Sequence, residues 1–179
     1  MAGPQHVSLT TGLVGRRSFQ RMGPRGKEPG LVYEVSYRAQ LKPPIPVGAG
    51  PFGNRMYFEV VDGVIEGERL NGILTSGGGD WLLAGADGFG RLDVRANITT
   101  HDGANLYLHY DYGILELNET VMTAIGTGAG TNFEDHYFRT TPRFESGDER
   151  YAWVNQTVFV GKGHALPGLM VEFDLYRVI

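Results

Sequence analysis

The sequence predicts an all-β fold in one domain, with a mostly antiparallel sheet that forms either a closed barrel or a sandwich, and one short helix. Apolar and polar residues alternate with a period of two over most of the stretch from Leu31 to Val178, as they do in half-buried strands. The 179 residues include 27 glycines, well above the usual share of about 7%, which indicates many tight turns. The sequence lacks the alternation of strand and helix patterns that is typical of a parallel sheet.

The first predicted strand is "LVYEVSYRAQL", residues 31–41. Its alternation places five residues on one face, namely Leu31, Tyr33, Val35, Tyr37 and Ala39. The other face then carries the polar side chains Glu34, Ser36, Arg38 and Gln40. This division is typical of a strand with one buried and one solvated face.

Eight more segments with strand character follow, and turn residues separate most of them. They are "RMYFEVV" (55–61), "RLNGILTS" (69–76), "DWLLAG" (80–85), "RLDVRANIT" (91–99), "NLYLHYDY" (105–112), the two halves of "YFRTTPRFESGDERYAWVNQTVFVG" (137–161), and "LMVEFDLYRV" (169–178). Asp-Gly dipeptides at residues 62–63 and 102–103 are strong turn signals. The sequence therefore predicts about nine strands.

The one predicted helix lies between the sixth strand segment and the seventh, near Asn118 to Ile125. Asn118 is suited to cap its N-terminus, and Gly126 and Gly128 are suited to end it.

The first 29 residues form a basic arm rich in glycine and proline, and residues 30–179 form the β domain. Five basic residues precede the first acidic residue, Glu28: Arg16, Arg17, Arg21, Arg25 and Lys27. No apolar core of a secretory signal is present in the arm, and its glycines and prolines disfavour the amphipathic helix of a transit peptide. We expect a cytoplasmic protein in which the arm adds contacts to a homodimer or a higher homo-oligomer.

Composition excludes several classes of function. With a formal charge of -4 and an isoelectric point of about 5.7, the chain is not expected to bind nucleic acid or an anionic membrane. No apolar run approaches the roughly 18 residues of a membrane span. The absence of cysteine excludes thiolate nucleophiles, disulfides and iron–sulfur clusters.

Two glycine-rich stretches resemble nucleotide-binding loops only superficially. Gly48, Gly50 and Gly53 satisfy the dinucleotide pattern G-x-G-x-x-G, but a strand follows them at once where that site needs a helix. Residues 126–131 follow a helix and lack the lysine of a P-loop. Both stretches are therefore predicted to be loops, and no nucleotide cofactor is expected.

Three residues offer the most plausible metal ligands. His109 and Asp111 share one side of a strand, and with His164 they could form the facial triad of a non-haem iron site. A surface or cavity histidine and an aspartate close to a turn are the commoner explanation of such a pattern, so we predict that metal plays no part.

Polar and aromatic residues recur at every second position in three segments, forming a stripe of Asp93 and Arg95, of Tyr107 and His109, and of Tyr151, Trp153 and Asn155. Such a stripe is either a solvated sheet face or the lining of a ligand cavity. The aromatic residues Tyr151, Trp153 and Phe159 favour a cavity, because they supply apolar area beside polar groups.

Several blocks of the sequence resemble the family known as domain of unknown function 3237. They include Gly-Gly-Asp-Trp (78–81), Leu-Asp-x-Arg (92–95), and Phe-Arg-Thr-Thr-Pro-x-Phe-Glu-x-Gly-Asp (138–148) followed by Tyr-x-Trp-x-Asn (151–155). The resemblance covers about residues 31–179. It implies a single antiparallel β-barrel, similar in outline to lipocalins and allene oxide cyclase, with a central cavity. It also implies a companion of enzymes that act on small organic molecules, including those that make polyketides and terpenoids.

In such a barrel, alternate residues of each strand point inward, and the stripe would then line one cavity. Asp93, Arg95, Tyr107 and His109 are the predicted catalytic residues. Arg95, held by Asp93, would bind a developing oxyanion, and Tyr107 and His109 would exchange protons. The predicted substrate-binding residues are Asp80, Trp81, Arg143, Tyr151, Trp153 and Asn155.

The function expected from this lining is cofactor-free isomerisation, cyclisation or elimination of a small hydrophobic oxygenated metabolite. The alternative is a binding or carrier protein with the same cavity and no chemistry. A carboxylate or histidine within reach of the ligand favours the enzyme, whereas a lining with only peripheral charges favours the carrier.

Overall fold

The computed structural model describes residues 26–179. Predictions about the basic arm of residues 1–29 lie almost wholly outside these residues, and the homodimer contacts assigned to the arm stay a prediction. Within the described part of the chain, no helix is long and apolar enough to cross a membrane.

Residues 26–179 contain ten strands, one α-helix and one 3₁₀ helix. The strands are β1 (Leu31–Leu41), β2 (Ile45–Gly50), β3 (Gly53–Gly67), β4 (Gly72–Ala84), β5 (Phe89–Thr100), β6 (Asn105–Glu116), β7 (Phe138–Thr140), β8 (Arg143–Glu145), β9 (Phe159–Leu166) and β10 (Met170–Val178). Helix α1 (Glu119–Thr127) follows β6, and the 3₁₀ helix (Glu149–Gln156) follows β8.

Eight of the strands close into an antiparallel barrel, in the order β1-β10-β9-β7-β6-β5-β4-β3. The ring is closed where β1 pairs with β3. Two strands stand outside the ring: β2 pairs with β3, and β8 pairs with β6. The predicted all-β antiparallel barrel is therefore confirmed.

Helix α1 lies beyond the end of β6 and begins and ends at the residues that the sequence indicates. The side chain of Asn118 accepts a hydrogen bond from the amide of Val121, and Gly128 ends the helix with a left-handed φ of 71°. Val121 and Ala124 are buried, so one face of α1 covers an end of the barrel. The predicted short helix is confirmed.

The segment from Tyr151 to Gln156, predicted as the start of a strand, is instead part of the 3₁₀ helix. Asp148 caps this helix by accepting a hydrogen bond from the amide of Arg150. The amide side chain of Asn155 then accepts from the backbone N–H of Ser146 and donates to its carbonyl. Tyr151, Trp153 and Asn155 therefore share no strand face, and this part of the prediction is wrong.

A β-bulge in β1 divides the face that the alternation predicts as continuous. The register with β10 shifts between Tyr33 and Val35, so one extra residue, Glu34, interrupts the alternation. Val35, Tyr37 and Ala39 are buried as expected. Leu31 and Tyr33 are 58% and 51% exposed, because the bulge turns them outward.

The buried Glu34 carboxylate accepts hydrogen bonds from Arg69 at 2.7 Å and pairs with Arg177 at 3.0 Å. The guanidinium of Arg69 also lies 3.8 Å from the centre of the Trp153 ring. These contacts tie the 3₁₀ helix to the start of β1 and account for the place of Trp153.

Candidate active site

One half of the barrel is filled and the other half is hollow. Val35, Ile65, Ile98, Leu106 and Leu175 are at most 2% exposed and fill the half that is remote from α1. Towards α1 the interior opens into a cavity with about 110 Å³ of space for the centres of water molecules. One water centre needs roughly 10–15 Å³ of such space, so the cavity is large enough for a small organic molecule.

The cavity wall is mainly aliphatic and aromatic, and Asp80 contributes a carboxyl group to it. Asp80 lies on β4 just after a bulge at residues 75–79, where Gly77 has a φ of 98°. The Gly-Gly-Asp-Trp block therefore belongs to one bulged strand that joins the two predicted segments 69–76 and 80–85. The Asp80 Oδ1 atom accepts a hydrogen bond of 3.2 Å from the backbone amide of Asp93.

Burial raises the pKa of the Asp80 carboxyl from its ordinary 3.8 to about 8. The amide of Asp93 partly offsets this rise, and the charge of the Asp93 side chain adds to it. Asp80 keeps some accessible surface because it faces the cavity, but protein atoms enclose it. At neutral pH the carboxyl is therefore mostly protonated, and it can donate a proton or a hydrogen bond into the cavity.

Tyr37 of β1 and Tyr110 of β6 meet across the same cavity, with their hydroxyl oxygens 3.1 Å apart. Both rings are at most 3% exposed. Burial raises the pKa of each phenol, and the nearby Asp80 carboxyl raises it further. Both phenols are therefore neutral and can donate hydrogen bonds, and both lie close enough to Asp80 for its charge to affect their pKa.

A second polar pair, Thr131 and His136, also lines the cavity. Both residues belong to the loop between α1 and β7, and the Thr131 Oγ1 atom lies 3.2 Å from His136 Nε2. Burial lowers the pKa of the His136 imidazole, which favours its neutral form.

The four predicted catalytic residues lie on the outer face of the barrel. Asp93 and Arg95 alternate with the buried Leu92, Val94 and Ala96, and it is these apolar residues that point inward. The prediction that Asp93 and Arg95 face the cavity is therefore wrong, because period two fixes which residues share a face but not which face is inside.

The structure does bring the four together on that outer face. Arg95 donates to Asp93 at 2.9 Å, and His109 Nε2 lies 3.8 Å from the same carboxylate oxygen. The rings of Tyr107 and His109 stack 5.8 Å apart. Arg143 Nη2 lies 2.9 Å from His109 Nδ1 and completes the group. None of these five side chains lines the cavity.

The predicted substrate-binding residues divide in the same way, and of the six only Asp80 lines the cavity. Trp81 lies outside, 4.7 Å from the ring of Tyr57. The Tyr151 hydroxyl donates to Asp102, and Trp153 lies under Arg69. These contacts are structural, so the prediction that Trp81, Tyr151 and Trp153 face the cavity is wrong.

Two of the three candidate metal ligands, His109 and His164, have other partners. The two ring nitrogens of His164 contact the carbonyl of Thr131 and the carboxylate of Glu172, whereas His109 contacts Arg143. Among residues 26–179, no group of three or more histidine and acidic side chains is arranged to hold a metal ion.

Sequence reasoning missed Tyr37, Tyr110, Thr131 and His136. Tyr37 and Tyr110 lie on the most apolar faces of their strands, beside Ala39 and Leu108. Such faces point towards the interior of a barrel. That signal identifies the inner face. Thr131 and His136 lie in a loop, where no periodicity indicates their direction.

The raised pKa of Asp80 predicts that the contribution of this group to the free energy of unfolding falls as the pH rises from about 4 to about 8. In this window the folded state keeps a proton that the unfolded state has lost, so its stabilising contribution is complete below pH 4 and is lost towards pH 8. Asp80→Asn removes the titrating group. Between pH 4 and pH 8 we therefore expect the free energy of unfolding of the variant to rise by roughly 1–4 kcal/mol relative to that of the wild type. Urea denaturation at a series of pH values measures the difference, with Asp111→Asn, which removes an exposed carboxyl group outside the cavity, as the control. Parallel curves for Asp80→Asn and wild type would contradict the burial of this acid.

Comparison with known proteins places this barrel among relatives. The model of the family described as "Protein of unknown function (DUF3237)" matches residues 29–178. A UPF0311 protein from Clostridium acetobutylicum is 30% identical over 115 residues, which cover 64% of this chain and 72% of that protein. The crystal structure of a conserved protein of unknown function from Rhodopseudomonas palustris matches with a TM-score of 0.76 and 26% sequence identity. The match covers 86% of this chain and 100% of the Rhodopseudomonas chain. A beta-barrel like protein from Acinetobacter baumannii has a TM-score of 0.73 and 27% identity, over 87% and 99% of the two chains.

Proposed function

This chain belongs to the DUF3237 family, and we propose that it is a cofactor-independent isomerase or cyclase acting on a small hydrophobic oxygenated metabolite inside its barrel. The observation that carries the proposal is an enclosed carboxyl group, Asp80, in a cavity whose walls are otherwise mainly apolar, where burial raises its pKa to about 8. An acid whose pKa lies near the working pH is suited to both donating and recovering a proton.

In the proposed reaction Asp80 gives one proton to the substrate and later takes one back. Asp80 donates its proton to a carbonyl or epoxide oxygen of the substrate. A hydroxyl group of the same molecule adds to the activated carbon, and its proton returns to the Asp80 carboxylate. One C–O bond forms while either an epoxide C–O bond or the C=C π bond of an enone breaks. In the enone case the resulting enol tautomerises to the ketone, and in both cases the product has the mass of the substrate.

Tyr37 and Tyr110 have the supporting role in this reaction. Their paired hydroxyls, 3.1 Å apart, leave a proton free to donate to the oxygen on which negative charge develops. Neutral donors fixed in an apolar cavity stabilise such charge more strongly than water does. The aliphatic wall excludes water, which would otherwise compete with the internal hydroxyl group.

The second candidate function is a carrier for the same class of molecule, and the mainly apolar lining favours it. Binding of a hydrophobic ligand needs the wall but not the acid. Because a carboxyl group kept protonated in an apolar cavity costs stability above neutral pH, its presence supports the enzyme over the carrier.

Mass spectrometry of small molecules that co-purify with the protein would select a panel of hydroxy-enones and hydroxy-epoxides for the test. Each compound is incubated with wild type and Asp80→Asn, and chiral chromatography looks for a new product of unchanged mass. We expect wild type to form an isomer and Asp80→Asn to form none. Tight binding of panel members with no isomer from any of them would establish the carrier instead.

A further inference from the structure

The loop between α1 and β7 brings a buried histidine to the cavity wall with one ring nitrogen unpaired. His136 and Thr131 are 7% and 8% exposed, and both line the cavity. The Nδ1 atom of His136 is buried and has no hydrogen-bond partner among the described residues. An unpaired buried polar atom is costly, and a ligand atom is one means of satisfying it.

The hydrogen bonds of Thr131 decide which histidine nitrogen carries the proton. Its hydroxyl oxygen accepts from the amide of Ala165 at 3.0 Å. Within residues 26–179, the atom placed to accept the proton of that hydroxyl is His136 Nε2, at 3.2 Å. Nε2 is assigned as the acceptor, because a proton on Nε2 would leave both the hydroxyl proton of Thr131 and the lone pair of Nδ1 without a partner; in a neutral imidazole the proton is then on Nδ1. His136, a residue of the cavity wall, therefore holds an N–H donor that has no acceptor on any other described residue.

Aromatic rings join this donor to the acid site. The ring of His136 meets Phe138 edge to face at 5.9 Å, and Phe138 meets Phe173 in the same way at 4.7 Å. Phe173 then stacks on Tyr37, with 5.0 Å between the ring centres and 18° between the planes. Tyr37 is hydrogen-bonded to Tyr110. All five residues line the cavity, so one wall between its two polar sites is aromatic.

We propose that His136 is a second anchor for the substrate, and that the substrate is a flat aromatic or conjugated molecule with an acceptor oxygen at each end. One oxygen binds at Asp80 and the tyrosine pair, and the other accepts a hydrogen bond from His136 Nδ1. The unsaturated body between them packs on Phe138 and Phe173. This inference rests on the proposed function, because it concerns the same cavity.

Two matched pairs of probes test the second anchor: 6-methoxy-2-naphthol against 6-ethyl-2-naphthol, and the two corresponding 7-substituted compounds. The members of a pair have nearly the same shape, but an ether oxygen replaces a methylene group. Titration calorimetry at pH 7 is expected to show that at least one methoxy compound binds roughly tenfold more tightly than its ethyl partner. His136→Phe is expected to remove this preference and to leave the affinity for the ethyl compound within about threefold.

The nitrogen spectrum of the wild type provides a second readout, which does not depend on the folding of a variant. Nitrogen-15 correlation spectra of His136 are expected to show a protonated Nδ1, whose signal shifts with the methoxy probe and not with its ethyl partner. A proton on Nε2, equal affinities within both pairs, a preference that persists in His136→Phe, or no binding by any probe would each overturn the inference. These probes cannot react, so a protein that prefers the methoxy compounds but isomerises no substrate contradicts only the proposed function. A protein that isomerises a substrate without this preference contradicts only the second anchor.

Discussion

Replacing Asp80 by asparagine is expected to lower the turnover of an isomerised substrate by about 100- to 10,000-fold, the usual contribution of a positioned acid or base. Asparagine keeps the size of the side chain and can still accept the amide hydrogen bond from Asp93, but its amide protons are not acidic enough to be transferred to a substrate. The wild-type kcat/KM is expected to fall as the pH rises through about 8, because Asp80 then loses the proton that the reaction needs. The pH profile of initial rates, followed by chromatography of the product, measures both effects.

The matched control for this experiment is Asp93→Asn on the adjacent strand. Asp93 touches Asp80 through its backbone amide, which the substitution preserves, while its side chain lies on the outer face and pairs with Arg95. We expect its turnover to stay within about threefold of wild type. A large loss in Asp93→Asn with normal turnover in Asp80→Asn would move the chemistry to the outer face and contradict the cavity site.

Truncating Phe173 is expected to have the largest effect on stability. Its ring is 1% exposed and contacts the rings of Tyr37 and Phe138. Phe173→Ala removes these contacts and enlarges an existing cavity, so we expect a loss of about 3–5 kcal/mol in the free energy of unfolding. Chemical denaturation at constant pH measures this loss.

Phe52 provides the control, because the same substitution there removes a ring that is 80% exposed. Phe52→Ala is expected to change the free energy of unfolding by less than roughly 0.5 kcal/mol. Similar losses in the two variants would show that Phe173 does not pack inside the barrel.

Local sequence signals were sufficient for the elements of this fold whose causes are themselves local. Asn118 and Gly128 mark the ends of α1 because a cap needs one side chain and one backbone conformation. The period of two identified most of the strands because it follows from the geometry of the pleat. Strand β2 was missed, because the stretch that contains Gly48 and Gly50 was predicted to be a loop. The 3₁₀ helix was missed because its cap, Asp148, is followed by residues whose alternation also fits a strand.

The candidate site was harder to predict because it depends on which face of each strand closes on the others. Alternation placed Asp93 with Arg95 and Tyr107 with His109 correctly, yet all four face outward. A stripe that is rich in charge is costly to bury, and the inner faces were instead the apolar stripes that carry Tyr37 and Tyr110. Asp80 was an exception, because a single acid stands among the apolar residues that line the cavity.

Strand β2, which pairs only with β3, has a consequence for the behaviour of the protein at high concentration. An unpaired strand edge is a template on which another chain can add a strand, and such addition leads to aggregation. In β2, Pro46 has no N–H to offer, and the register with β3 shifts before Gly48, whose φ is 97°. Both features interrupt the row of hydrogen-bonding groups next to the exposed side chains of Ile45 and Val47. The open edge of β2 is thus a weaker template for a second chain than its exposed apolar residues alone would suggest.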